Sequence, residues 1–299
     1  MPPWPAGGEC NLIGSCELMA AMAQFDGLPG RGVSPTTVRR SMRPITFDRM
    51  MRNSRQRSYF ENSGYFNFGY WASGAKSQPE ASGALVDQMV ARIANKTGSI
   101  LDVACGLGGA AKRLTHIYPP EMITGINISE AQIADARALA PGCTFQVMNA
   151  TKLGFPDNHF DAVICIESAC CFDTRDTFLK EALRVLKPGG SLAMSDILFR
   201  TTNLLGFGQV PPANMLPSIA EYCTHLAAAG FVSIEVTDAT GECLGGFCAN
   251  LRHWAASERR AGRMGWSRSV VEAVIHKLLA VFYALGCKTY LLVSAHKPS

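Results

Sequence analysis

Charge is scarce in this sequence. Only 17% of its 299 residues are charged, and 28 Lys+Arg against 24 Asp+Glu leave a net of +4. So mild an excess does not by itself argue for a nucleic-acid partner. The 11 cysteines form no C-x-x-C pair and no two histidines stand at zinc-ligand spacing, so no metal site is expected. The late apolar segment Leu278 to Cys287 is about half of the roughly 20 residues a bilayer span needs, so no transmembrane segment is expected. The N-terminus carries Glu9 and Glu17 and lacks the basic-then-apolar layout of an export signal. Internal repeats and low-complexity tracts are missing as well. These absences point to a soluble, cytoplasmic protein with reduced, buried thiols. Apolar residues, at 47%, are plentiful enough for a core, which excludes a disordered or fibrous chain.

The pattern along the chain predicts three regions. Residues 1–80 read as a leader with short helices and an aromatic segment, 81–240 as an α/β core, and 241–299 as a helical cap followed by a last core strand. Gly and Pro flank a short helix, Glu17 to Gln24, in the leader. Between Thr36 and Ser58 stand seven arginines and one acid, Asp48. That stretch is either a solvated helix face or a surface for an anionic partner or a membrane. The cluster Tyr65-Phe66-Asn67-Phe68-Gly69-Tyr70-Trp71 follows neither a period of 2 nor one of 3.6, so it is either a hydrophobic plug or a lid over a pocket.

From Leu85 onward the order is regular. A helix carries Leu85, Val86, Met89, Val90 and Ile93 on one face. Strands are expected at Ser99–Cys105, Met122–Ile128, Thr144–Met148, Asp161–Glu167 and Ser191–Ile197, with helices between them at Ala110–Ile117, from Ser129, and at Arg175–Leu186. Ser129 and Gln132 have the spacing of a capping box. Lys187-Pro188-Gly189-Gly190 reads as a turn. After an irregular connection, Thr201–Pro217, come a helix (Ser218–Ala229), a strand (Phe231–Val236), a helical stretch from Phe247 to Leu285 and a strand (Thr289–Ala295). Continuous apolar strands alternating with helices predict a doubly wound, mainly parallel sheet with ligands at its carboxyl edge.

The strongest chemical signal is Ile100-Leu101-Asp102-Val103-Ala104-Cys105-Gly106-Leu107-Gly108-Gly109. It is a buried strand that ends in small residues and leads into a helix, so a ligand can approach the backbone closely. The spacing is not that of a dinucleotide fingerprint, and no Gly-Lys-Ser/Thr follows, so no nucleoside triphosphate site is expected. Companion motifs end the next strands: Asn127-Ile128-Ser129, Met148-Asn149-Ala150, and Glu167-Ser168.

As an ordered set these motifs resemble the class I S-adenosylmethionine-dependent methyltransferases. Within them the chain is similar to the branch with quinone, sterol, phthiotriol-type and rebeccamycin-type natural-product enzymes. The resemblance implies a seven-stranded Rossmann-like fold with S-adenosylmethionine as cofactor. It implies that Asp102, Ala104, Gly106 and Gly108 line the methionine end. Asn127 and Ile128 stand by the ribose, where relatives often carry an acid. Asn149 and Ala150 lie beside adenine. Gln132 either reaches the ribose or serves only the capping box, and Glu167 either lines the site or is a structural acid. Tyr65, Tyr70 and Trp71 would face the cofactor, whose sulfonium is attracted by aromatic faces by about 0.5–2 kcal/mol.

For catalysis the resemblance leaves a gap. Several relatives carry a His shortly after Glu-Ser, where this chain has Cys170 and Cys171. Either Cys170 acts as a thiolate or the pair is buried and structural. Asp196 matches the branch's second acid and is the leading candidate for a base or a base-orienting residue, with His225 and His253 as further candidates. The expected reaction is O-methylation of a small, partly hydrophobic metabolite. C- or N-methylation, or a cyclase-like protein that binds the cofactor without methyl transfer, are the alternatives. The loop Glu167-Ser168-Ala169-Cys170 is not the kind that macromolecule methyltransferases use, so no nucleic-acid partner is expected. The arginines of the cap (Arg252, Arg259, Arg260, Arg263, Arg268) leave peripheral membrane contact open.

Overall fold

The computed structural model describes residues 47–202 and 210–299. The expected helix at Glu17–Gln24, the leader and the first part of the arginine-rich stretch lie outside the described residues, as does part of the 201–217 connection. The elements are, in order, α1 (Ser54–Tyr59), α2 (Gln78–Ala91), β1 (Ile100–Val103), α3 (Gly109–Leu114), β2 (Ile123–Asn127), α4 (Glu130–Leu139), β3 (Thr144–Val147), β4 (Phe160–Ile166), α5 (Arg175–Val185), β5 (Leu186–Phe199), α6 (Ile219–Ala229), β6 (Val232–Asp238), α7 (Gly246–Arg260), α8 (Trp266–Gly286) and β7 (Cys287–His296). The seven strands form one sheet in the order β3-β2-β1-β4-β5-β7-β6. Only β7 runs antiparallel, against both β5 and β6.

Burial on both faces explains the unbroken apolar strands. Ala162 and Ile164 of β4 join the core on one side of the sheet, with Leu85 and Met89 of α2. Val163 and Cys165 join the core on the other, with Phe178 and Leu179 of α5. Each fully buried large apolar side chain contributes about 1.5–3 kcal/mol. Helix starts follow the sequence signals: Ser129, Thr174 and Ser218 each accept a backbone N–H of the first turn through their hydroxyls. Gly230 ends α6 at φ +105°, a left-handed conformation that favours glycine.

Three expectations change. Lys187–Gly190 is not a separate turn before β5 but an outward bulge within it. Phe160 pairs with Leu186 while Ala162 pairs with Ser191, and Lys297 bonds both Gly189 and Gly190 beside the end of β7. The capping box at α4 is only half made, because Gln132 turns its amide elsewhere. Most significantly, α8 is a 21-residue helix long and apolar enough, by length and composition, to cross a membrane. It nevertheless belongs to the folded unit. Its buried side carries Glu272 and His276, and it runs straight into β7 between two other strands.

Candidate functional site

At the carboxyl edge of the sheet lies a cavity of about 290 Å³. Ten of the expected cofactor residues line it: Tyr65, Asp102, Ala104, Gly106, Asn127, Ile128, Gln132, Asn149, Ala150 and Glu167. The turn after β1 folds sharply, with positive φ at Ala104 (60°), Gly106 (55°) and Gly108 (90°). Gly106 leaves its backbone open to the cavity, where a Cβ would meet only the end of Met51, at 2.9 Å from Cε. Gly108 does not line the cavity. A Cβ there would stand 2.8 Å from Ala136 Cα, so this glycine serves the close packing of α3 on α4.

Asp102, on β1, is the most unusual group in the wall. It is buried, and among the described residues its Oδ2 has no hydrogen-bond partner. Burial raises its pKa to about 7. A buried carboxylate oxygen without a donor is costly unless a ligand supplies one.

Across the cavity floor the amides are busy. Asn127 accepts the Ser129 N–H through Oδ1 and donates to Gln132 Oε1 at 2.9 Å. Gln132 Nε2 and Ser129 Oγ both donate to Asp48 Oδ1, at 2.7 and 2.6 Å. A carboxylate thus reaches this spot from a helical turn at residues 47–51, far away in sequence. Its neighbours Arg52 and Arg57 pair with Asp135, and Arg55 pairs with Glu272 at 2.9 Å. These arginines tie the segment down, a role neither reading of the arginine run foresaw. Asn149 spends its Oδ1 on its own loop, accepting from Thr151 N and Oγ1.

The aromatic segment divides. Tyr65, Phe66 and Asn67 line the cavity, and Asn67 Oδ1 is a second buried oxygen without a partner. Tyr70 and Trp71, expected at the site, are not in its wall. Gly69 at φ +80° lets the chain turn tightly against Ala81, where a Cβ would stand 2.6 Å away. Beyond it, Trp71 donates its indole N–H to Phe68 O and packs over Gly246 at the start of α7. Phe68 stacks on Phe247 with ring centroids 4.5 Å apart. The plug reading therefore describes 68–71, and the lid reading fits 65–67.

On the opposite wall Glu167 sits at the end of β4 with φ +53°. Its Oε1 accepts from Phe68 N at 2.7 Å and from Tyr290 Oη at 2.5 Å. Burial raises its pKa to about 8, although these two donors pull the other way. Among the described residues no donor reaches Oε2.

The expected catalytic residues lie elsewhere. Asp196, in β5, is wholly buried outside the cavity wall. It accepts from Arg175 Nε at 2.7 Å, Tyr222 Oη at 2.9 Å and the backbone N–H groups of Cys170 and Ile197. Asn214 extends this network, accepting from Arg175 N and donating to Cys170 O and Phe172 O. Asp196 therefore has no free lone pair aimed at a substrate; it holds the loop after β4. Cys170 is buried beside Cys171, with the sulfurs 3.7 Å apart. That thiol–thiol contact and burial push its pKa well up, so it stays a thiol, and Cys171 rather than Cys170 lines the cavity. His225 bonds Asp176 at 2.7 Å between α6 and α5, away from the cavity. His253 is exposed on α7. Sequence reading missed Asp48, Asn67 and Tyr290. Asp48 did leave a signal, as the single acid among seven arginines.

Comparison with known proteins agrees with this architecture. The family described as "Methyltransferase domain" matches residues 101–194. O-methyltransferase resE of Aspergillus sclerotiorum is 33% identical over 196 residues, covering 59% of this chain and 72% of that protein. Erythromycin 3''-O-methyltransferase of Saccharopolyspora erythraea is 32% identical, covering 58% of this chain and 63% of that one. Among solved structures the [4+2]-cyclase SpnF superposes with a TM-score of 0.64 at 26% identity, over 92% of this chain and 99% of its own.

Proposed function

Because the chain belongs to the class I S-adenosylmethionine-dependent methyltransferases, we propose that it O-methylates a small, partly hydrophobic hydroxylated metabolite of specialised biosynthesis. The carrying observation is that one cavity holds two carboxyl groups, Asp102 on β1 and Glu167 just after β4, each with an oxygen that no donor among the described residues reaches.

The residues fit the cofactor. The unpaired Asp102 Oδ2 suits a cationic ammonium donor, and Gly106 leaves room for close approach. Asn127 and Gln132 in the wall offer acceptors and donors for hydroxyl groups, with Asp48 holding the Gln132 amide from behind. When bound, S-adenosylmethionine supplies an electrophilic methyl group. The protein's part is then to position the acceptor, to keep water out behind Tyr65 and Phe66, and to take up a proton. Glu167 takes that last role instead of Asp196. Its Oε2 would accept the acceptor's hydroxyl proton, while Tyr290 and Phe68 N–H fix the other oxygen. With its pKa near 8, its basicity is matched to working near neutral pH. Asp196 acts at one remove, by fixing the Cys170 N–H and thus the loop that follows Glu167.

The test is S-adenosylhomocysteine release with hydroxylated lipophilic acceptors, the methylated atom being read by NMR. Glu167→Gln should lower kcat by about 10²-fold or more, as loss of a general base does, with S-adenosylhomocysteine affinity within a few-fold of wild type. Unchanged kcat would remove Glu167 from the chemistry. A second reading, cofactor binding without methyl transfer, is favoured by the cyclase that matches nearly the whole chain. It predicts product formation with no S-adenosylhomocysteine released.

A further inference from the structure

We propose that the outer face of α8 docks on an anionic lipid bilayer. Trp266, Val270, Val274, Leu278, Val281 and Leu285 recur every three or four residues, so they form one stripe along the helix. All six are exposed, Trp266 and Leu285 at 70%. The stripe runs about 30 Å, the length of a 20-residue helix, and monomeric proteins rarely leave so long an apolar strip bare. It is not the side that packs on the protein. That side carries Glu272, paired with Arg55 at 2.9 Å, and His276, 4.7 Å from the Trp254 ring.

Charge selects the occupant. The exposed positions of α8 include Arg268 and Lys277 and no acid; its one acid, Glu272, is buried. Arg252, Arg259 and Arg260 add exposed cations on the adjoining α7, and among the described residues no carboxylate pairs with any of the three. An apolar stripe on a helix whose exposed charged positions are all basic, beside a helix with three more exposed arginines, matches the interfacial plane of a negatively charged membrane, with Trp266 at the level of the headgroups. A second copy of α8 would instead set cations against cations with no acid to answer them. Because Cys287 begins a strand inside the sheet, α8 lies along such a surface and does not cross it.

Flotation of the full chain with phosphatidylcholine vesicles, with and without phosphatidylglycerol, tests this. Wild type should float with the anionic vesicles, weakly with the neutral ones, and less in high salt. Val274→Asp with Leu278→Asp should cut partition by about tenfold or more, with thermal unfolding unchanged. If that variant unfolds, Leu285→Ser at the exposed last turn should still lower partition several-fold. Arg259→Gln with Arg260→Gln should weaken binding to anionic vesicles alone. The proposal falls if wild type does not float, if neutral vesicles bind it equally, or if the apolar variants float as well as wild type. It also falls if light scattering shows a dimer that Val274→Asp disperses while vesicles are ignored. None of these readouts involves methyl transfer, so failure of the proposed activity would leave them intact.

Discussion

Asp102 and Asp196 lie in the same sheet, on β1 and β5 with β4 between them, and both are withdrawn from water. Asp196 is met by a guanidinium, a phenol and two backbone N–H groups. Asp102 has an oxygen that no donor among the described residues meets. The difference teaches how to separate two kinds of buried acid. One completes the fold, and its removal strands a cation; the other is left incomplete by the fold and awaits a partner from outside. Sequence reading treated both as site residues because both stand at strand-end positions that match acids of the family the chain resembles. Only the third dimension shows which has its donors already.

The sharpest way to break this contrast is to remove Asp196. Asp196→Ala leaves Arg175 buried without its partner and should destabilise the fold by about 3–5 kcal/mol, read by denaturant unfolding. A fully stable variant with lost turnover would return Asp196 to the chemistry. Next in size, Asp102→Ala should weaken S-adenosylhomocysteine binding by about 10–100-fold, the worth of a hydrogen bond to a charged group, while leaving the ligand-free protein as stable as wild type or more so. Calorimetry with equal affinities would mean that its empty oxygen awaits nothing.

A smaller effect follows from pH. Asp102 and Glu167 have raised folded-state pKa values, about 7 and 8. Stability from their neutral forms is therefore complete below the ordinary carboxyl range and is lost as pH rises through 7 to 8. The melting temperature of the ligand-free protein should fall by a few degrees between about pH 5 and 8, less so in Asp102→Asn. A rising melting temperature attributable to Asp102 would reverse the sign. The smallest expected change is that of Trp71→Ala on the cofactor. Since Trp71 packs on Gly246 and not in the cavity wall, affinity should stay within about threefold, less than the worth of one ordinary hydrogen bond. A larger loss would restore the lid reading to residues 68–71.

The core was legible because local signals and long-range packing agreed there. Small residues after β1, Ser caps before α4 and α6, and strands apolar on both faces left few alternatives. What escaped were contacts between distant segments. Asp48 reaches Gln132, Tyr290 reaches Glu167 and Arg175 reaches Asp196 across 84, 123 and 21 residues. No period or spacing encodes such meetings. The aromatic segment shows a subtler failure. Plug and lid stood as alternatives for the whole segment, but it divides between Asn67 and Phe68, and each part has its own neighbours.

The position of β7 carries a consequence for how the molecule is made. During synthesis β5 and β6 emerge well before the strand that joins them, since β7 begins only at Cys287. Until then β5 shows an open edge and β6 has no neighbour at all, the sort of exposed pairing surface through which nascent chains stick to one another. A released chain truncated just short of Cys287 should therefore be an aggregation-prone, chaperone-bound species, where one that runs through His296 closes the sheet.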